Sequence, residues 1–165
     1  MPPAVVTLPE RPYVALRRTC TLQSMDVIAD RIPEVRAWLA ERGIEPAGPP
    51  FLRFEVIEME KQLVVEAGWP VAEPVPGDGT RDGVRAGVLP SGRYVSLVHH
   101  GHPDQLVPVI GALLVWARER GLRWDVERTP EGDRWGCRLE SYRTDPREQP
   151  DPAQWETELQ FRLAG

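Results

Sequence analysis

The stretch WARERGL (residues 116–122) ends a helical pattern of apolar residues, and WLAERGI (residues 38–44) ends another one earlier in the same chain. Their tryptophans, Trp38 and Trp116, are 78 positions apart, since 116 minus 38 is 78. Arginine and glycine commonly end amphipathic helices, so one such ending carries little information. Two similar endings in one short chain predict a duplicated unit.

The strand patterns that precede the two endings support this prediction. PYVALRR and RYVSLVHH contain Tyr13 and Tyr94, which are 81 positions apart, since 94 minus 13 is 81. This offset differs by only three residues from the offset of the helix ends. Turns can absorb such a difference, so strand and helix recur in the same order at nearly the same spacing.

The composition fits one domain over residues 1–165. The chain is 41% hydrophobic and has a net charge of -5, and this length can bury a core of ordinary size. Its longest apolar run, residues 106–117, is far shorter than the roughly 20 residues that span a bilayer. No signal peptide is recognisable, so we expect a cytoplasmic protein without a membrane partner. The absence of a basic stripe argues against direct binding of nucleic acid.

Alternation and helical spacing predict two similar halves, at about residues 11–70 and 84–163, joined by a Pro- and Gly-rich loop at about 70–83. Pro33 lies inside the first helical pattern, where it would kink the helix or mark the start of its second part. The predicted strands cover residues 13–21, 51–57, 63–69, 84–89, 94–100, 135–143 and 155–163. The predicted helices begin at Ser24 or Asp26 and end at Arg42, and run from about Asp104 to Arg120.

This order of elements predicts an α+β fold in which a helix covers one face of an antiparallel sheet in each half. The other sheet face would stay free. Two such units set side by side would form a groove along their junction, which is a common place for a ligand.

The chain has six tryptophans and three phenylalanines. Trp38 and Trp116 lie on apolar helix faces and are expected in the core. Trp69, Trp135 and Trp155 fall at strand ends, where a large ring either covers the edge of the core or faces a ligand. The sequence leaves both roles open for these three residues.

The strand pattern RWGCRLESYR (residues 134–143) separates two sets of side chains, because successive residues of a strand point to opposite faces. If the set with Cys137 and Leu139 packs on the helices, Glu140 and Tyr142 face the groove. The first set is Trp135, Cys137 and Leu139, and the second is Gly136, Arg138, Glu140 and Tyr142.

Glu140 is an ordinary solvated residue if its strand face is exposed, but a carboxylate surrounded by aromatic rings has a different role. A carboxylate withdrawn from water either takes up a proton or pairs with a cation. A lipophilic cation would restore neutrality and gain roughly 0.5 to 2 kcal/mol from each well-placed ring. Such a site would select ligands by charge and hydrophobicity more than by shape.

Metal and cofactor chemistry has little support in the sequence. His99 and His100 of the HHGH stretch are consecutive strand residues and point to opposite faces. Cys20 and Cys137 lack a metal-ligand spacing and are expected to be buried, reduced thiols. The common nucleophile, zinc and nucleotide motifs are absent, which weakens an enzymatic interpretation without excluding it.

Six short motifs, weak individually but specific in their order and spacing, resemble the GyrI-like effector-binding domains. These domains are related to the drug-sensing halves of MerR-type and AraC-type regulators. The resemblance covers about residues 11–163. The motifs are GPPFLRF (48–54), VVEAGWPV (64–71), LPSGRYVSLVHHG (89–101), ALLVWARERG (112–121), ESYRTDP (140–146) and DPAQWETEL (151–159).

The resemblance implies a pseudo-twofold pair of strand-helix-strand-strand units (SHS2-like) with a ligand cleft between them. It also implies that Glu140 lies at the cleft floor, two residues before Tyr142, and that His100 corresponds to a strand-end histidine of unassigned role. The ligand-binding candidates are Glu140, Tyr142, Trp69, Trp155, Tyr94 and Phe51.

Three functions are compatible with this resemblance. No DNA-binding segment is recognisable, so the leading hypothesis is a stand-alone protein that captures hydrophobic, often cationic aromatic molecules with Glu140 as the counter-charge. Some relatives resemble hydrolases of cyclopropane-bearing DNA-alkylating natural products, in which Glu140 would be the general base and Tyr142 would orient water or the leaving oxygen. A gyrase-inhibiting protein-protein function ranks lowest, because a net charge of -5 gives a modest field. A partner regulator is possible, and no metal or cofactor is expected.

Overall fold

An antiparallel sheet of ten strands is the main element of the computed structural model, which describes residues 2–58, 61–76 and 83–165. Eight strands follow the order β1-β6-β10-β9-β3-β4-β2-β5, while β8 pairs with β3 and β7 pairs with β8. The strands are β1 Ala4–Leu8, β2 Arg11–Cys20, β3 Phe51–Glu58, β4 Gln62–Pro70, β5 Val84–Leu89, β6 Gly92–His100, β7 Val126–Thr129, β8 Gly132–Trp135, β9 Arg138–Tyr142 and β10 Glu156–Arg162.

The helices are α1 Met25–Ala29, α2 Arg31–Glu41 and α3 Leu106–Glu119. The prediction of one continuous first helix is wrong, because Asp30 separates two helices, α1 and α2. Pro33 lies in the first turn of α2, where a missing backbone N–H disrupts no helical hydrogen bond. It therefore marks the start of the second part, which was one of the two alternatives that its position allowed.

The repeated helix ending has a common structural cause in both halves. Arg42 lies over the ring of Trp38 at 3.8 Å and donates to the Trp38 carbonyl, and Arg120 does the same at Trp116, where the ring distance is 4.1 Å. The glycine that follows each arginine has a positive φ, 68° at Gly43 and 69° at position 121. A left-handed residue there ends each helix in the same way.

The predicted α+β fold is confirmed. In chain order β2 is followed by α1, α2, β3 and β4, whereas β6 is followed by α3 and by four strands, β7 to β10. The central β3–β9 pairing joins the halves and sets Leu52 opposite Glu140. The edge strands are exchanged, however. β1 pairs with β6 of the second half, and β5 pairs with β2 of the first half, although the sequence assigned residues 84–89 to the second half.

Three further features differ from the predictions. β1 and β7 were not predicted. The strand predicted at residues 135–143 corresponds to β9, and only Trp135 of it belongs to β8. The two strands are separated at Gly136, whose N–H leaves the ladder and donates to the Asp125 carbonyl at 2.9 Å. The predicted loop at 70–83 lies partly outside the described residues, at 77–82.

The sheet curls into a half-barrel whose inner surface carries its own apolar cluster. Tyr13 on β2 and Tyr94 on β6 belong to opposite ends of the strand order, yet they share this cluster with Phe51, Cys137 and Leu139. The helices pack on the outer surface, where α1 and α2 contribute to clusters with the first half and α3 to a cluster with the second. Burial of these two surfaces is the main source of stability.

Candidate functional site

A cavity of about 660 Å³ lies between the α1 and α3 segments, above the strands that join the two halves. We call it the glutamate cavity. The helical segments contribute residues between Leu22 and Ala29 on one side and between His102 and Ile110 on the other. The sheet contributes Leu52, Phe54, Ile57, Leu63, Arg138, Glu140 and Tyr142.

Glu140 is held in the middle of the sheet, because β9 pairs with β3 on one side and β10 on the other. The residue is only 8% exposed. Tyr142 lies two residues further on the same strand face, and its hydroxyl donates to Glu140 Oε2 at 3.1 Å. The tyrosine thus fixes the carboxylate toward the cavity.

Burial raises the pKa of Glu140 above its ordinary value, since the ionised carboxylate is poorly solvated there. The hydrogen bond from Tyr142 and the positive charge of Arg138 act in the opposite direction and do not cancel this effect. The pKa of Tyr142 is also raised, by burial and by the neighbouring carboxylate. A cation in the cavity would relieve the cost of holding Glu140 ionised.

Arg138 is a cavity residue that the ligand-site prediction missed. Its guanidinium lies 4.4 Å from the ring centroid of Phe161 and 4.8 Å from that of Trp135, and burial lowers its pKa to about 10. Among the described residues, no ion pair within 4.0 Å joins Arg138 to Glu140. The alternation of the strand did place the two on one face, so the signal was present in the sequence.

Acidic groups outnumber basic ones around the glutamate cavity. Asp26, Asp104 and Glu140 line it together with one guanidinium, that of Arg138. With His102 neutral, the described lining has a net charge of -2, that is, three negative charges and one positive. The rest of the lining is mostly apolar.

A second cavity of about 970 Å³ adjoins the first, and Ala29, Pro103 and Tyr142 line both. We call it the tryptophan cavity, because Trp69 and Trp155 are its aromatic residues besides the shared tyrosine. Five prolines stiffen its walls. They are Pro33, Pro49, Pro50, Pro103 and Pro146.

Both indole rings of the tryptophan cavity are fixed by hydrogen bonds. Trp69 Nε1 donates to the Ile32 carbonyl at 2.8 Å, and Trp155 Nε1 donates to the Gln149 carbonyl at 2.6 Å. Trp155 also stacks on His102, with ring centroids 5.5 Å apart. Because each N–H already has an acceptor, the rings offer a ligand apolar surface rather than a donor.

Four of the six predicted ligand residues, Glu140, Tyr142, Trp69 and Trp155, are brought together around the two adjoining cavities. Phe51 and Tyr94 are not. Both lie in the apolar cluster inside the half-barrel, 2% and 0% exposed, and neither occurs among the described residues that line the cavities. The expectation that they face the cleft is therefore corrected, because their strand positions point to the inner surface.

The cleft lies on a different sheet face from the one predicted. Cys137 and Leu139 do not pack on the helices but fill the inner surface of the half-barrel. Glu140 and Tyr142 point to the outer face, where the helical segments stand apart and leave the cavity between them. Trp135 belongs with neither set, because the break at Gly136 turns it to the cluster beneath α3.

The remaining candidates lie outside the described linings of the two cavities. His100 is exposed, and its Nε2 lies 2.9 Å from Glu156 Oε2. Cys20 and Cys137 are buried and free, as expected. In the part of the chain that the structure describes, no group of three or more His, Cys, Asp or Glu side chains is arranged to hold a metal ion.

A curled antiparallel sheet flanked by two helical segments, with a buried carboxylate in a cleft between them, defines a domain built to bind small molecules. The chain belongs to the family of the GyrI-like small molecule binding domain, whose model matches residues 1–164. No curated protein matched it. None of the helices in residues 2–58, 61–76 and 83–165 is long and apolar enough to cross a membrane.

Several solved structures are similar to this one. The C-terminal domain of EcmrR is 20% identical, with a TM-score of 0.74 over 99% of this chain and 97% of that one. EcmrR in its DNA complex is 22% identical, with a TM-score of 0.76, and the 98% of this chain that matches covers 57% of that chain.

Two further structures share the fold at lower identity. SAV2435 bound to tetraphenylphosphonium is 13% identical, with a TM-score of 0.60 over 100% of this chain and 95% of that one. A hydrolase from Listeria innocua is 16% identical, with a TM-score of 0.63 over 98% and 91% of the two chains. At these identities the likeness concerns the fold alone.

Proposed function

We propose that this small-molecule-binding domain captures hydrophobic, often cationic aromatic compounds, with Glu140 as their counter-charge. The observation that carries the proposal is a carboxylate that is 8% exposed, receives a hydrogen bond from Tyr142, and lines a cavity with mostly apolar walls. An ionised carboxylate there lacks most of its hydration, so a cation that reaches it replaces water.

The aromatic residues around the cleft suit the same ligands. Tyr142 stands between the two cavities, and the rings of Trp69 and Trp155 are fixed at the far side. Each well-placed ring contributes roughly 0.5 to 2 kcal/mol to a cation, beyond the apolar area that it buries. SAV2435, which shares the fold, was solved with tetraphenylphosphonium, a hydrophobic cation of this kind.

The sharpest test of the counter-charge compares two probes of nearly equal shape and opposite charge, tetraphenylphosphonium and tetraphenylborate. Binding is followed by calorimetry and by tryptophan fluorescence. We expect a micromolar dissociation constant for the phosphonium, equivalent to about -8 kcal/mol, and much weaker binding of the borate. Equal affinity for the two probes contradicts the proposal.

The matched variants are Glu140→Gln and Glu158→Gln. Glu158 is a half-buried acid on β10 that lines neither cavity in its described part, so its replacement changes the net charge equally. We expect Glu140→Gln to weaken phosphonium binding about tenfold or more and to reduce the preference over the borate. Glu158→Gln should bind like the unchanged protein.

A second candidate function is hydrolysis of cyclopropane-bearing alkylating compounds, and the Tyr142–Glu140 hydrogen bond favours it. Burial raises the pKa of Glu140, which brings a carboxylate closer to the range that suits a general base. In this reaction Glu140 takes a proton from water, the water oxygen bonds to a ring carbon, and the strained carbon–carbon bond breaks. The released electron pair is finally protonated, so the product gains one water.

Mass spectrometry distinguishes turnover from capture. The protein is incubated with a cyclopropane-bearing alkylator, and the compound is analysed for a mass gain of one water. A gain that Glu140→Gln abolishes and Glu158→Gln leaves unchanged establishes hydrolysis. Recovery of the intact compound, together with measured binding, supports capture alone.

A further inference from the structure

The two cavities differ in charge as well as in shape. The described lining of the glutamate cavity has three carboxylates and one guanidinium. The described lining of the tryptophan cavity has three guanidinium groups, of Arg36, Arg143 and Arg147, and two carboxylates, of Asp145 and Glu156. The net charge of the described lining is therefore -2 in the glutamate cavity and +1 in the tryptophan cavity, and Tyr142 lines both.

The three arginines are not equally neutralised. Arg147 Nη2 lies 2.9 Å from Asp145 Oδ2, and its Nε also donates to that carboxylate, so this pair is closed. Arg143 lies 4.0 Å from Glu156. Among the residues that the structure describes, the ion-pair partner of Arg36 is Glu45, with Nη2 and Oε2 3.6 Å apart, and the Glu45 side chain is 87% exposed. Water and salt screen the attraction between Arg36 and this exposed partner strongly, so the guanidinium remains available to another anionic group.

Arg36 is also placed beside the flat apolar surfaces of the cavity. Its guanidinium carbon lies 5.9 Å from the ring centroid of Trp69, and both side chains line the cavity. A planar ring packed beside Trp69 would bring its substituents near this cation. Because both indole N–H groups already have acceptors, Arg36 is the donor suited to an anionic substituent.

Size gives an independent argument. Ligand cavities for compounds of drug size are roughly 300 to 1,000 Å³, and each of the two cavities falls in this range by itself. They share three wall residues, so a ligand longer than one ring system can occupy both.

We infer that the cleft is built for elongated, dipolar ligands, with a lipophilic cation at Glu140 and a flat ring bearing an anionic group in the tryptophan cavity beside Arg36. This inference rests on the proposed binding of cations at Glu140. It adds a second subsite, an opposite charge and a residue, Arg36, that determines specificity.

Four triphenylphosphonium probes test the inference by calorimetry. The first carries a methyl group, and the others carry a flexible tether that ends in naphthalene, in naphthoate or in naphthoate methyl ester. We expect naphthalene to improve binding about fivefold over methyl through stacking, and naphthoate to bind about threefold more tightly than its ester. Naphthalene that adds nothing, or naphthoate that binds no better than its ester, overturns the inference.

The variant pair is Arg36→Gln and Arg118→Gln. Arg118 is an exposed arginine of α3 outside the described linings, so its loss alters the net charge equally. Arg36→Gln should remove the advantage of naphthoate over its ester, while Arg118→Gln should preserve that advantage. An equal loss in both variants means that only the overall charge acts, and it contradicts the role of Arg36.

The two proposals fail in different ways. A methyl probe that does not bind, or that binds Glu140→Gln equally well, contradicts the counter-charge role and the inference that depends on it. Normal binding of the methyl probe without any gain from the naphthoate tether contradicts the second subsite alone.

Discussion

Two buried glutamates, Glu140 and Glu66, lie on opposite faces of the same sheet, and each has a tyrosine and an arginine nearby. Glu66 is 6% exposed and Glu140 is 8% exposed, and burial raises the pKa of both. Glu66 lies on the inner side of the half-barrel, among Tyr13 and Arg53. Glu140 lies on the outer side and lines a cavity. Equal burial therefore does not mean an equal role.

The difference lies in how far each carboxylate is already satisfied. Tyr13 donates to Glu66 at 2.6 Å, and Arg53 lies 3.8 Å from the same oxygen while donating to Tyr13 at 2.9 Å and to the Gly136 carbonyl at 2.9 Å. This network ties β2, β3 and β4 to the segment before β9. Glu140 receives one longer hydrogen bond, from Tyr142, and the nearby Arg138 stacks on aromatic rings instead of forming an ion pair with it. This difference is why we propose Glu140, and not Glu66, as the carboxylate that meets a ligand.

The largest expected effect is a difference in the free energy of unfolding between variants of Arg53 and Arg138. Arg53→Met removes the cation beside Glu66 and leaves the Gly136 carbonyl without its donor, so we expect it to lower the free energy of unfolding by about 3 kcal/mol. Arg138→Met removes a buried cation that stacks on rings, and it should change that free energy by about 1 kcal/mol or less. Urea denaturation of both variants measures the contrast. Equal losses would show that the two networks are equally structural.

A smaller effect concerns stability against pH. The pKa of Glu66 is raised to about 6, first by burial and then by the nearby Glu55, so the folded state holds a proton that the unfolded state has released. Stability from this group is therefore present below pH of about 4.5 and is lost as pH rises through about 6, by roughly 2 kcal/mol. Glu66→Gln, which mimics the neutral acid, should remove this decrease. A variant whose profile still falls like the original over that range contradicts the assignment to Glu66.

At the other glutamate, pH should change binding. In the proposed function hydrophobic cations pair with the ionised carboxylate, and burial raises the pKa of Glu140. Affinity for tetraphenylphosphonium should therefore increase, by about tenfold, as pH rises through that pKa. Calorimetric titrations at several pH values measure this trend, and Glu140→Gln should show none. Glu66→Gln is the control that should retain it, because Glu66 lines neither cavity in its described part.

The smallest expected effect compares the two tyrosines. Tyr142→Phe removes the donor to Glu140, so the pKa of that carboxyl should rise further and cation affinity near neutral pH should fall about threefold. The same change at Tyr13 should lower stability by about 1 kcal/mol and leave binding unchanged. If Tyr13→Phe also weakens binding, the two sheet faces are coupled and the comparison fails.

The sequence predicts those features that depend on local periodicity. The repeated Trp and Arg spacing identifies two similar helix ends, and strand alternation puts Arg138, Glu140 and Tyr142 on one face. Alternation cannot tell which face meets the helices, and this is why the cleft was assigned to the wrong side. A period of two also cannot show the break at Gly136, which is caused by a hydrogen bond to a residue eleven positions earlier, since 136 minus 125 is 11.

Features that depend on pairing between strands far apart in the chain could not be predicted from the sequence. β1 pairs with β6 and β5 pairs with β2, each across the boundary between the halves, and no local sequence pattern encodes these partners. Phe51 and Tyr94 show the same limit. Phe51 lies on β3 at the junction and Tyr94 lies on β6, but the curl of the sheet encloses both side chains. Arg36 lies beside Trp69 through the packing of α2, which no local pattern encodes.

The most direct test of the central claim is a carbon-13 NMR titration of the Glu140 side-chain carboxyl, with and without tetraphenylphosphonium. In the free protein the midpoint should lie above the ordinary range for glutamate, because the carboxyl is buried. With the cation bound, the midpoint should move to lower pH, since the ionised form then has its partner. A midpoint that is ordinary in the free protein, or that the cation leaves unchanged, would contradict the account.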